Sequence, residues 1–132
     1  MKDLHNLLFT KDHEWLRIEG EYGVVGITDY AQKQLGDIVF VEIKAPGTHV
    51  PQGTSLGVIE SVKSVADVYA PVSCIIHQNN EKVIQNPELV NKSPYGDGWL
   101  TRIKIESPQE LKQLMTYKDY EKYISQIQSR NT

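Results

Sequence analysis

The sequence predicts a mainly β protein, two small antiparallel sheets packed as layers and trimmed by short helices. Three observations predict it: apolar and polar residues alternate over short runs, glycine and proline punctuate those runs, and helical spacing gathers near the C-terminus. The 132 residues suit a single domain spanning 1–132, with a β core over 8–105 and two C-terminal helices over 107–127. A chain of this size buries roughly two thirds of its unfolded surface, so neither a disulfide nor a metal is needed to hold it.

His13 to Ile18 alternates as a strand, Glu19-Gly20-Glu21 reads as a turn, and Tyr22 to Ile27 returns as the second strand of a hairpin. The period then changes. Thr28 is a good N-cap, Ala31 and Leu35 share a face, and Gly36 is a natural residue just past the helix end, so 28–35 reads as a short helix. Asp37 to Lys44 is a strand with Val39, Val41 and Ile43 on one face and Ile38 and Phe40 on the other, a pattern expected of burial between two layers. Turn signals at 45–47 and 51–53 precede strands at Ser55 to Glu60 and Val65 to Tyr69. Trp99, Thr101, Ile103 and Ile105 form a further alternating strand. In the tail, Ser107, Pro108 and Glu110 have the spacing of a capping box, worth about 1 kcal/mol. A second helix from Thr116 to about Ile127 carries Tyr120, Ile124 and Ile127 in line, and Ser129 to Thr132 are expected to fray.

The composition excludes several classes of function. Hydrophobic residues make up 39% and charged residues 23%, ordinary for a soluble globular protein. No apolar run is long enough for a membrane span, and Met1 to Asn6 lacks an apolar signal core, so the expected location is the cytoplasm. The net charge of −3, without a basic stripe, argues against nucleic acid. Cys74 is the single cysteine, which excludes an internal disulfide and supports no zinc site; it reads as a small, partly buried turn residue.

Catalytic signatures also fail. His13-Glu14 begins a zincin-like pattern, but the second histidine falls on Arg17. Gly20, Gly23 and Gly26 do not make a phosphate cradle, no serine sits in a nucleophile elbow, and the histidines, His77 among them, are scattered. What stands out is Lys63. Val58 to Asp67 reads as strand, tight turn, strand, placing Lys63 at a hairpin tip with its amine in water. A lysine in a turn ordinarily does no more than keep a chain soluble. Here its surroundings argue otherwise.

Glu60-Ser61-Val62-Lys63-Ser64 resembles the lipoylation hairpin of the glycine cleavage H proteins, with the modified lysine fourth. Biotin carriers usually flank their lysine with methionine, and two-oxoacid dehydrogenase lipoyl domains usually place Asp before it; Val62 and Ser64 differ from both. The resemblance continues through Lys11-Asp12-His13-Glu14-Trp15, Gly26-Ile27-Thr28, Leu35-Gly36-Asp37, Tyr69 to Ser73, Pro87 to Asn91, and Ser93 to Trp99. It covers roughly residues 8 to 125. One departure is Cys74, where the family normally has Gly; a positive φ there would cost about 1 kcal/mol.

The resemblance implies a lipoyl-domain-like barrel-sandwich hybrid that carries lipoate covalently on Lys63 and is not itself an enzyme. Glu60, Ser61, Val62 and Ser64 would serve recognition by lipoate ligase or lipoyltransferase. Glu14 and Asp67, with Asp12 beside them where a serine is usual, would line the cleft for the loaded arm. The implied partners are the pyridoxal-phosphate glycine decarboxylase (P protein), the aminomethyltransferase (T protein) and dihydrolipoamide dehydrogenase (L protein), approached by a monomer. The same lysine motif would also suit an H-like carrier in lipoate relay or in a sulfur or redox pathway.

Overall fold

A computed structural model describes residues 3–130. Nine strands are formed in two antiparallel sheets among them: β1 (Leu8–Phe9), β2 (Glu14–Glu19), β3 (Tyr22–Ile27), β4 (Ile38–Ile43), β5 (His49–Val50), β6 (Ser55–Ser61), β7 (Val65–Tyr69), β8 (Cys74–Asn79) and β9 (Thr101–Ile105). The larger sheet runs β1-β2-β3-β9-β8-β5, the smaller β4-β6-β7, and neither closes on itself. Helices α1 (Asp29–Leu35), α2 (Glu81–Gln85), α3 (Leu89–Lys92) and α4 (Tyr117–Arg130) join them, with 3-10 turns at Leu4–Asn6 and Pro108–Gln113.

The first hairpin forms as expected, with Glu19 paired to Tyr22 across a two-residue turn whose Gly20 sits at φ 65. The α1 boundaries also agree with the sequence. Thr28 Oγ1 accepts from Ala31 N–H, and Gly36 leaves the helix at φ 83. The core between the sheets is built from Leu16 and Val25 on one side and Val41, Leu56, Ile59 and Val68 on the other. A second cluster, Phe9, Trp15, Val24 and Tyr120, lies on the far face of β2 and β3 beneath α4.

β4 departs from the expected alternation. The β4–β6 pairing shifts between Ile38 and Phe40, so a bulge changes the phase. Ile38, Val41 and Ile43 face the core while Val39 and Phe40 are exposed at 55% and 43%. Cover on both faces falls instead on β2 and β3, where Trp15 and Leu16, and Val24 and Val25, point opposite ways and are all buried.

The first C-terminal helix is a 3-10 helix, and the Ser107 side chain makes no cap bond. Glu110 is drawn elsewhere: its two oxygens accept from Ser73 N–H at 2.7 Å and Ser73 Oγ–H at 3.1 Å, stapling the tail to the sheet. α4 runs through Ser129 to Arg130, and Asn131 and Thr132 lie outside the described residues. Cys74 is not a turn residue. It opens β8, pairs with Ile105 and Val50, and is fully buried. Its φ is not positive, so the expected strain is absent, and burial pushes its thiol up to about 12. His77 is an exposed strand residue packed on Tyr22 at 4.8 Å.

Candidate functional site

The β6–β7 hairpin presents Val62-Lys63-Ser64 at its tip, all three exposed. Ser61 closes the turn: its N–H donates to the Ser64 carbonyl at 2.8 Å, while its Oγ accepts from the Lys63 and Ser64 amides at 3.3 and 3.1 Å. A bond from Val62 N–H to the Asp37 carbonyl, 3.0 Å, ties the tip to the entrance of β4. Lys63 makes no ion pair among the described residues. Its stem lies across the end of α1, with Cε 3.5 Å from where a Cβ on Gly36 would stand. The Gly36 carbonyl is in turn held by the Asn91 amide at 2.9 Å, and Asn91 Oδ1 receives Ile38 N–H at 2.9 Å. The Pro87 to Asn91 segment thereby supports the ground beneath the lysine.

Beside this point, one residue back along α1, opens a cavity of about 190 Å³. Ala31 and Leu35 of α1, Ile27 of β3, and Ile59, Ala66 and Val68 of the smaller sheet line it. Asp12, Glu14 and Asp67, far apart in sequence, all contribute to its wall. Glu60 does not: it lies in the cross-strand row with Phe40 and Val65.

Glu14 is 2% exposed, not the exposed strand carboxylate that its alternation allows. Thr10 Oγ1 donates to its Oε1 and in return accepts the Glu14 amide at 3.0 Å. Tyr69 N–H donates to its Oε2 at 3.2 Å, so this one side chain bridges the two sheets. Desolvation pushes the Glu14 carboxyl up to about 7; the Thr10 and Tyr69 bonds offset part of that shift, and the Asp12 charge adds to it. Asp67 is exposed and accepts from Ser55 Oγ–H at 2.9 Å.

Sequence reasoning missed two participants. His13 lines the cavity and is the one non-glycine residue with positive φ, 71°, among the described residues. Histidine is among the residues enriched in that region, and Asp12-His13 before a strand was the available signal. The other is Thr10, whose hydroxyl fixes Glu14 and which no motif marks. No group of side chains suited to a metal occurs among the described residues.

The fold and site together define a small two-sheet β protein that displays one lysine on a hairpin next to a cleft with a buried carboxyl group. Residues 7–127 match the family model described as Glycine cleavage H-protein. The glycine cleavage system H protein of Halothermothrix orenii is 46% identical over 123 residues, covering 93% of this chain and 96% of its own length. That of Legionella pneumophila is 47% identical over 123 residues, with 93% and 98% covered. The crystal structure of a glycine cleavage system H protein from Mycobacterium marinum superposes with a TM-score of 0.79 at 34% identity, covering 92% of this chain and 96% of that one. The chain belongs to the glycine cleavage H-protein family.

Proposed function

We propose that this protein is the lipoyl-bearing shuttle of a glycine cleavage system, with lipoate attached through an amide to Lys63 Nζ. The observation that carries the reading is the juxtaposition of the exposed Lys63, its stem lying over Gly36, with a cavity that begins at Leu35 and ends on buried Glu14. When bound, the dithiolane supplies a tethered sulfur that takes an aminomethyl group from the decarboxylase (P protein), yields it to the aminomethyltransferase (T protein) and is reoxidised by dihydrolipoamide dehydrogenase (L protein).

The residues present fit such a group. The tip is free of ion pairs, so the lysine amine is open to acylation by lipoate ligase or lipoyltransferase, with Glu60, Ser61, Val62 and Ser64 as the surface read. Ala31, Leu35 and Ile59 offer apolar contacts to the arm's methylenes. Glu14 offers a carboxyl group that is itself buried, 2% exposed. A cationic amine beside it would favour its ionised form, so arrival of the amine and loss of the Glu14 proton are coupled. Asp67 and Asp12 add negative charge at the wall. A tether also holds the sulfur near a docked partner at an effective concentration around millimolar. The chain itself contributes attachment, shelter and charge, and no catalytic group.

The test is exchange of labelled bicarbonate into glycine by a cognate decarboxylase, with Lys63 lipoylation verified by peptide mass. Exchange is expected with the lipoylated protein and none with Lys63→Ala. Complete lipoylation without exchange would assign the chain to lipoate relay or another carrier pathway, and failure to lipoylate would overturn the reading.

A further inference from the structure

One side of the Glu14 cavity is the 12–14 segment and another is α1, through Ala31, Gln34 and Leu35. A single hydroxyl on α4 touches the supports of both. Tyr120 Oη lies 2.9 Å from His13 Nδ1 and 2.7 Å from Thr28 Oγ1. Thr28 is the N-cap of α1, and its N–H donates to the His13 carbonyl at 2.9 Å. The donors can be ordered. Ala31 N–H occupies one acceptor site of Thr28 Oγ1, Thr28 O–H donates to Tyr120 Oη, and Tyr120 O–H donates to an unprotonated His13 Nδ1. Burial lowers the His13 pKa against the pull of Asp12, which favours the neutral ring that this order requires.

The Tyr120 ring is a rigid strut. It is 4% exposed and stacks on Phe9 at 4.7 Å with the planes 9° apart. His13 needs such support, because a non-glycine residue at φ 71 persists only where its surroundings over-determine it. We propose that Tyr120 is a positioning residue of the cleft: its hydroxyl clamps the Asp12–Glu14 segment to the N-terminus of α1 and so sets the width of the cavity that shelters the loaded arm. This rests on the shuttle reading above, in which the arm enters that cavity.

The experiment uses the full-length lipoylated protein, loaded by the decarboxylase. It follows spontaneous release, in which water attacks the methylene carbon and leaves the dithiol, formaldehyde and ammonia. Tyr120→Phe keeps the ring stack and removes only the clamp. It loses two hydrogen bonds and is expected to release roughly three- to tenfold faster, about the net worth of one of them, while lipoylation of Lys63 proceeds at the wild-type rate. The His13 Nδ1 nitrogen-15 resonance should shift as it loses its donor. Thr28→Ser, which keeps the hydroxyl, should behave as wild type. Thr28→Val, which loses the α1 cap along with its half of the clamp, should release at least as fast as Tyr120→Phe while Tyr120 stays bonded to His13; the pair keeps the proposal testable if Tyr120→Phe folds poorly. A wild-type release rate in Tyr120→Phe, or faster release with the His13 resonance unmoved, would overturn the clamp. Wild-type protein that releases no more slowly than free aminomethyl-dihydrolipoamide would overturn the sheltering cavity itself, and the clamp with it.

Discussion

Two hairpins of similar length sit in this molecule and do opposite things. In β2–β3, Trp15 lies over Gly26, so closely that a Cβ there would fall 2.5 Å from the indole, and its Nε1–H reaches the Pro94 carbonyl at 3.0 Å. In β6–β7, the strands are anchored at their base by Ile59 and Val68, but the end carries Val62 and Val65 in the open, 69% and 64% exposed. The turns differ too: the first uses Gly20 at positive φ, the second a serine hydroxyl. The first hairpin is built to be held; it carries the buried Glu14 and takes packing on both faces. The second is built to be reached. The contrast separates where a group is sheltered from where it is attached.

The largest expected effect tests whether stability really lies in the first hairpin. Trp15→Ala removes a fully buried indole and leaves the Pro94 carbonyl without its donor, and should cost about 3–5 kcal/mol in urea denaturation. Lys63→Ala should stay within about 0.5 kcal/mol of wild type, as a surface change away from packing does. Equal losses for the two variants would erase the distinction.

The second effect is a pH dependence located in Glu14. Its carboxyl is raised by burial from 4.5 to about 7, so between those values the folded state binds more protons than the unfolded one. Stability from this group is therefore full below about 4.5 and falls as pH rises towards 7, by on the order of 3 kcal/mol. Glu14→Gln should flatten that part of the profile, measured as urea midpoints at pH 5 and pH 8. An unchanged slope would mean that Glu14 is ionised in the folded protein throughout the range.

The same two hairpins show what the sequence could and could not disclose. Strand alternation and turn residues place both of them, and α1 is legible because Thr28, the Ala31–Leu35 spacing and Gly36 are all local signals. The Lys63 tip is legible for the same reason. What the sequence hides is set by partners distant along the chain. The bulge at Val39 depends on how β6 pairs, so single-strand periodicity puts Val39 on the wrong face. The Ser107–Glu110 box has the right spacing, yet Ser73 outcompetes the helix end for the carboxylate. Glu14 alternates like a surface residue, and only the arrival of Tyr69 and Thr10 makes it a buried bridge. Propensities are local; burial is decided by what packs against them.

The smallest effect concerns how the reachable hairpin keeps its shape without a core around its end. Ser61 is 8% exposed, and its Oγ is the acceptor shared by the Lys63 and Ser64 amides. Two backbone bonds, Ser61 to Ser64 and Val62 to Asp37, act beside it. If the hydroxyl sets the tip, Ser61→Ala should lower global stability by no more than about 1 kcal/mol while speeding amide hydrogen exchange at Lys63 and Ser64 specifically, and Ser61→Thr should restore protection. If exchange at those two amides does not change, the backbone bonds alone define the turn. The tip would then be held from β4, through Asp37, and the freedom of Lys63 would belong to the smaller sheet as a whole and not to its hairpin.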